Sequence, residues 1–338
     1  MLLAWVNRRR RSGAGPVIAP GGTVAARRPV LLFVLGMGRS GTSALTRALG
    51  LAGAALPPGM LGADAGNPRG YWEPRKALHI NEQFLYRHGS SYFDPTLRLQ
   101  EPGAVSPAEK AAFTRKIADY LRTLPAAPVV VIKVLHISVL CDAWFTAARA
   151  TGYDVAAVLA VRDPREVNAS LSKFMKASPQ LSGALWLKYN LLAERDTRGL
   201  PRVFVDYPNL LEDWRRELAR VSAILPIELN TGSAPEIDEF LEPGLRRQRE
   251  AGPVTATFGT DWLPVVYEAL QAAARDEPWD PAVLDRVLDE FRASEHGFRT
   301  ALEDFRGQFN IRYRFSRRFM KPLYESVALA HGRKGTWA

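Results

Sequence analysis

The residues best equipped for chemistry stand together near the start of the chain. Positions 36 to 43 read GMGRSGTS, in which Gly36, Gly38 and Gly41 surround a cation, Arg39, and the hydroxyls of Ser40, Thr42 and Ser43 follow it. A glycine-rich turn between a strand and a helix presents backbone N–H groups at the positive end of the helix dipole, which makes an anion site. The nucleoside-triphosphate loop GxxxxGK[ST] places a lysine after its last glycine to reach the β- and γ-phosphates. Thr42 occupies that slot here. The loop therefore suits an anion with fewer phosphates, and Arg39 suits a bond whose leaving oxygen needs a neighbouring cation.

Four apolar runs must position this chemistry. PVLLFVLG (29–36), APVVVIKVL (127–135), DVAAVLAVRDP (154–164) and the shorter RVFVDY (202–207) read as strands buried on both faces. Helical patterns separate them. SPAEKAAFTRKIADYLRTL opens with a capping box at Ser106 and Glu109, with Pro107 between them. PREVNASLSKFMKA follows the third strand directly, and LSGALWLKYNLLAERD and NLLEDWRRELARVSAIL flank the fourth. Strands alternating with helices of this length predict an α/β fold with a central parallel sheet covered on both faces. Arg162 then falls at the carboxyl end of a central strand and Ser170 in the next helix, so both could meet one phosphate beside the first loop. A helix start pinned by Asp163 and Pro164 accounts for those two residues but not for Arg162 and Ser170.

GMGRSGTSALTRALGLAG resembles the 5′-phosphosulfate-binding loop of sulfotransferases, most closely in the bacterial and glycan or tyrosylprotein branch. VLAVRDPREVNASLSKF is similar to that family's 3′-phosphate motif, an arginine followed at this spacing by a serine. The resemblance covers residues 29–250. It implies a P-loop NTPase-like three-layer fold and 3′-phosphoadenosine 5′-phosphosulfate as donor, with no metal. Gly36, Gly38, Arg39, Ser40, Gly41, Thr42 and Ser43 would hold the phosphosulfate, Arg39 on the leaving side, and Arg162 and Ser170 the 3′-phosphate. EFLEPGLRRQRE looks like the late segment that adds a base to that phosphate, through Arg246 or Arg247; a solvated basic helix end reads equally well.

The acceptor side is implied less directly. NPRGYWEPRKALH resembles the N-P-[RK]-G-[FYW]-[FW]-E segment of bacterial members, which would assign Asn67, Arg69, Tyr71 and Trp72 to the acceptor and Glu73 as general base. A surface loop with core-filling aromatics is the competing reading. Lys133 and His136 form a rival catalytic pair: the lysine matches the family's position, but the chain continues K-V-L-H where bacterial members commonly continue K-D-P-R, and the histidine stands three residues on instead of two. His79 and His88 are weaker candidates. The branch resemblance implies a carbohydrate or glycolipid acceptor. A P-loop kinase-like phosphotransferase and a non-catalytic nucleotide-binding interaction protein are the alternatives.

Composition bounds the rest. The chain has 338 residues, 47% apolar and 24% charged, an ordinary globular mixture. Its net charge of +10 would suggest a nucleic acid, but residues 1–28 and 311–338 each carry +6, which leaves −2 for the 282 between. No nucleic-acid partner is expected. The single Cys141 excludes a disulfide framework and is expected to be buried. No apolar run of about eighteen residues occurs, so a cytoplasmic protein is expected; RYRFSRRFMKPLY could touch an anionic inner membrane face. In the stretch after residue 280, Leu284, Phe291, Phe298 and Phe305 recur at seven, with Leu288, Leu302 and Phe309 four later and Glu295 interrupting. One long helix, or two broken near Gly297, would pack on the core or serve self-association. The chain thus divides into a basic leader, 1–28, an α/β domain, 29–255, a helical extension, 256–310, and a basic aromatic tail, 311–338.

Overall fold

The computed structural model describes residues 28–303 apart from 64–66, 232–234, 247, 251–253, 255–257, 300 and 302. The basic leader, the tail, Arg247, Leu302, Phe305 and Phe309 lie outside the described residues. Four strands, β1 (Val30–Leu35), β2 (Val129–Ile132), β3 (Asp154–Val161) and β4 (Arg202–Asp206), pair in the order β2-β1-β3-β4, all parallel. Every residue of β1 and β2 is buried, because helices cover both faces of the sheet.

The faces follow the two-residue period of a strand. Leu31, Phe33 and Leu35 of β1 join a large apolar cluster with α2 (Arg75–Arg87), α3 (Pro107–Leu121), α4 (Cys141–Ala150), α5 (Pro164–Met175) and α6 (Pro179–Asp196). The same cluster takes in α10 (Trp262–Ala274) and α11 (281–299). Val30, Leu32 and Val34 face the other way, toward α1 (Thr42–Leu51), α7 (Tyr207–Glu212), α8 (Trp214–Ile224) and α9 (Pro235–Phe240). The result is a three-layer α/β architecture.

Local signals set the element ends. Ser106 Oγ accepts from the Glu109 amide at 3.3 Å while Glu109 Oε2 accepts from the Ser106 amide at 3.2 Å, closing the expected capping box on α3. Two expectations are corrected, and one alternative is decided. β2 stops at Ile132, and Leu135–Val139 wind into a 3₁₀ turn, so Lys133 and His136 sit beyond the strand. The single helix read after β4 is two, because Asp213 (φ −148°, ψ 80°) leaves helical geometry and its side chain caps α8 at the Arg216 amide. α11 runs through Gly297 without a break. Its Leu284, Leu288 and Phe291 are buried, whereas Phe298 is 83% exposed. Cys141 is buried, and burial pushes its thiol up.

Candidate active site

β1 lies between β2 and β3, and the chain goes first to β2 on one flank and later to β3 on the other, so the crevice at the carboxyl ends of β1 and β3 is where an open α/β sheet binds ligands. Chain 36–41 crosses that crevice. Gly36 has φ 120°, and a Cβ there would stand 2.6 Å from the Ala160 carbonyl oxygen on β3. Gly41, the N-cap of α1, has φ 82°, and a Cβ would meet the Tyr207 ring at 2.0 Å. Only glycine fits either place. The Gly36 amide donates to Ser138 Oγ at 3.0 Å, which ties the loop to the 3₁₀ turn after β2. No side chain caps α1, and the amides of Thr42, Ser43 and Ala44 precede its first i→i−4 acceptor, Gly41 O to the Leu45 amide.

Arg39 occupies the left-handed region (φ 70°), held from both sides. Its Nε donates to Ser170 Oγ at 3.0 Å, its guanidinium lies 5.4 Å from the Phe174 ring centre, and its carbonyl accepts from Arg162 Nη1 at 2.8 Å. Burial, reinforced by the Arg162 charge, weakens its hold on its proton, yet an arginine this far above neutral pH stays charged. Arg162 also donates from Nε to Glu166 at 2.8 Å and from Nη2 to Gln248 O at 3.3 Å, over the Tyr207 ring at 4.8 Å. Glu166 is fully buried and takes Arg246 as well, at 3.0 Å from Nε. Arg246 therefore stands one ion pair behind Arg162.

Lys133 closes the inner wall. Its ammonium donates to Tyr71 O at 3.1 Å, to Ser43 Oγ at 3.4 Å and to the Glu73 carboxylate, and both side chains of that ion pair are almost fully buried. Ser43 Oγ in turn donates to Tyr71 O at 3.1 Å and accepts from Asn67 Nδ2 at 3.3 Å. The start of α1, the segment before α2 and the end of β2 are thus one network.

These groups face a cavity of about 370 Å³. Arg39, Gly41, Thr42, Ser43, Lys133, Arg162 and Ser170 line it, as do Asn67, Arg69 and Tyr71. Glu73 and His136 do not. Glu73 lies behind Lys133; His136 is buried behind the loop, beside Tyr92, with an Nδ1 that has no hydrogen-bond partner among the described residues. Burial, with Lys133 nearby, lowers the His136 imidazole to about 4, so it is neutral at pH 7. Trp72 (φ 56°) turns away from this cavity and lines a neighbouring one with Phe240 and Arg47. Arg69 donates to the carbonyls of Glu239 and Phe240 at 3.1 and 2.9 Å and pairs with Glu242, fastening the acceptor-side segment to the end of α9.

Sequence reading missed Lys173, Phe174, Tyr207 and Gln248, which also line the cavity. Lys173 follows Ser170 by one helical turn, a spacing that could have marked it. Tyr207 directly follows β4, at the sheet edge where ligands bind. Phe174 and Gln248 carry no such signal. Among the described residues no group of three or more His, Cys, Asp or Glu side chains could hold a metal ion, and no helix is long and apolar enough to cross a membrane.

Fold and site together define an α/β protein with a cationic, amide-lined cavity at the carboxyl edge of a parallel sheet. No family model and no curated protein matches the chain. Among solved structures it is similar to the sulfotransferase domain of the Synechococcus PCC 7002 olefin synthase, at 18% identity and a TM-score of 0.39, over 79% of this chain and 96% of that one. It is also similar to the sulfotransferase domain from the curacin biosynthetic pathway (16%, TM-score 0.37, 78% and 98% covered). Sulfotransferase STF9 from Mycobacterium avium gives 16%, a TM-score of 0.39, and coverage of 79% and 76%.

Proposed function

We propose that the protein transfers a sulfuryl group from 3′-phosphoadenosine 5′-phosphosulfate to a hydroxyl of an acceptor. The observation that supports this best is the convergence on one cavity of two separate anion-binding sets. Arg39, Lys133 and the first-turn amides of α1 form one; Arg162 and Ser170 form the other. The donor is an anion with charge at two ends, and this cavity offers cations at two places joined through the Arg39–Ser170 and Arg162–Arg39 hydrogen bonds. A glycine cradle that admits no side chain fits the close approach of a phosphate to backbone N–H groups.

The donor supplies an activated sulfuryl group; the chain supplies position and charge. Loop 36–43 fixes the phosphosulfate end, and Arg39 neutralises the charge that collects on the departing phosphate oxygen. Lys133, locked by Glu73 and Tyr71 O, places a second positive charge at the inner wall. Arg162, kept rigid by Glu166, holds the 3′-phosphate end and fixes the direction of approach. As the acceptor oxygen bonds to sulfur and the bond from sulfur to the departing phosphate oxygen breaks, we assign the acceptor's proton to Glu73 by a relay: Lys133 passes one ammonium proton to the carboxylate and takes up the acceptor's, so it ends with the charge it began with. The carbohydrate or glycolipid nature of the acceptor rests on the branch resemblance alone.

Titration of the protein with 3′-phosphoadenosine 5′-phosphate and with ATP, each with and without magnesium, tests the assignment. Tighter binding of the former, independent of magnesium, is expected. Equal affinities, or an ATP preference that needs magnesium, would point to phosphoryl transfer instead.

A further inference from the structure

The second cavity, of about 420 Å³, is walled by Met60, Leu61, Pro68, Trp72 and Phe240, with two arginines at its boundary. Those arginines differ. Arg69 is neutralised by Glu242 and donates to two carbonyls. Arg47, half-buried on α1, lies 4.5 Å from the centre of the Trp72 ring and forms no ion pair among the described residues. A guanidinium over an aromatic face gains a modest cation–π attraction, and among the described residues no carboxylate neutralises its charge beside the apolar space. Trp72 is itself held in a sparsely populated backbone conformation, φ 56°, fixed by Nε1–H donating to Arg69 O at 2.8 Å. Left-handed geometry is rare in a bulky aromatic and is kept where surrounding structure enforces it. The conformation sends Glu73 toward Lys133 and the indole to the second cavity.

Pro68, Arg69, Gly70 and Phe240 line both cavities. The two cavities therefore adjoin across residues 68–70 and Phe240. We infer that the second cavity is an acceptor subsite for an apolar or aromatic body that carries an anionic group, with Arg47 as the counter-charge. The occupant's identity as acceptor rests on the sulfuryl-transfer reading; the preference for an apolar anion rests on this cavity alone. It favours an amphipathic acceptor over a bare sugar.

The experiment uses a matched pair of probes, 1-pyrenecarboxylate and the uncharged 1-pyrenemethanol, followed by tryptophan quenching with 3′-phosphoadenosine 5′-phosphate saturating. The carboxylate is expected to bind with the nucleotide present, and Arg47→Gln to weaken it about tenfold, the scale of one charge-assisted contact. Pyrenemethanol should change by less than about twofold on the same substitution, since it lacks the charge Arg47 would meet. Arg47→Lys should restore most of the carboxylate affinity. Arg47→Met, which keeps an unbranched stem over Trp72, is a second neutral variant should the glutamine perturb folding, as judged by nucleotide titration. Carboxylate affinity unchanged by both neutral substitutions, or displacement of the probe by the nucleotide, overturns the subsite. The two readings fail separately: nucleotide binding without charge-selective probe binding removes the subsite, and the converse removes sulfuryl transfer while the anion-selective cavity stands.

Discussion

Arg39 carries an unusual combination for a cation: a left-handed backbone, a buried guanidinium and a hydrogen bond to the hydroxyl of Ser170. Its direction is set before any ligand arrives, so little reorganisation is left for the reaction itself. Arg39→Ala is expected to cost about 2–4 kcal/mol in kcat/KM, as for other well-placed oxyanion donors, while Arg162→Ala mainly raises the donor KM. Glu73→Gln should lower kcat and leave 3′-phosphoadenosine 5′-phosphate affinity near wild type; full activity in that variant would remove Glu73 as the base. The loop cation was legible because its type and place in GMGRSGTS are chemical signals. The opposite fates of Trp72 and Glu73 were not, because adjacent residues diverge only through a backbone angle that no residue type announces.

At the scale of elements, the four strands were readable from apolar runs that two covering layers require. Their ends were less so, and β2 is shorter than its apolar run because the chain turns at Leu135–Val139 and buries His136 to Val139 there. α11 shows how far a hydrophobic repeat can be trusted. Leu284, Leu288 and Phe291 meet the core, and Phe298, one heptad on, does not. The interrupting Glu295 accepts from the Leu97 amide at 3.2 Å and from Arg299 at 3.0 Å, so a polar residue holds the helix to the segment before α3. Leu288→Ala should therefore cost about 2–4 kcal/mol in denaturant unfolding, and Phe298→Ser less than about 0.5 kcal/mol. Equal costs would mean that the helix docks along a different face.

For the whole molecule, two buried groups pull stability in opposite directions with pH. Burial, reinforced by Lys133, lowers His136 to about 4, and burial, against the pull of Arg246, raises the Asp206 carboxyl to about 7. Below about pH 6.5 the unfolded chain protonates its imidazole while the folded chain does not, so the His136 contribution is lost as pH falls toward 4. Asp206 behaves inversely: between about pH 4 and 7 the folded carboxyl keeps a proton that the unfolded chain has released, so its contribution is lost as pH rises. Denaturant unfolding from pH 4 to 7 should show Asp206→Asn falling more steeply than wild type toward acid, and His136→Gln falling more steeply toward neutrality. Each divergence should reach about 1–3 kcal/mol across the window. Curves parallel to wild type in both variants would show that neither group is held as the fold suggests.

What the sequence by itself determined was local: a glycine-rich loop between a buried strand and a helix, an arginine and a serine at the carboxyl end of a central strand and in the helix after it, and an alternation of elements that permits a covered parallel sheet. Such features rest on residue type and short spacing, which the chain carries openly. Tertiary structure alone decided that Arg39 bonds Ser170, that Arg246 pairs with Glu166, that Lys133 pairs with Glu73 at the cavity wall, and that Arg47 and Trp72 wall a second cavity. Those pairings join residues 25 to 131 positions apart. Their geometry depends on how whole layers pack, and no local pattern encodes it.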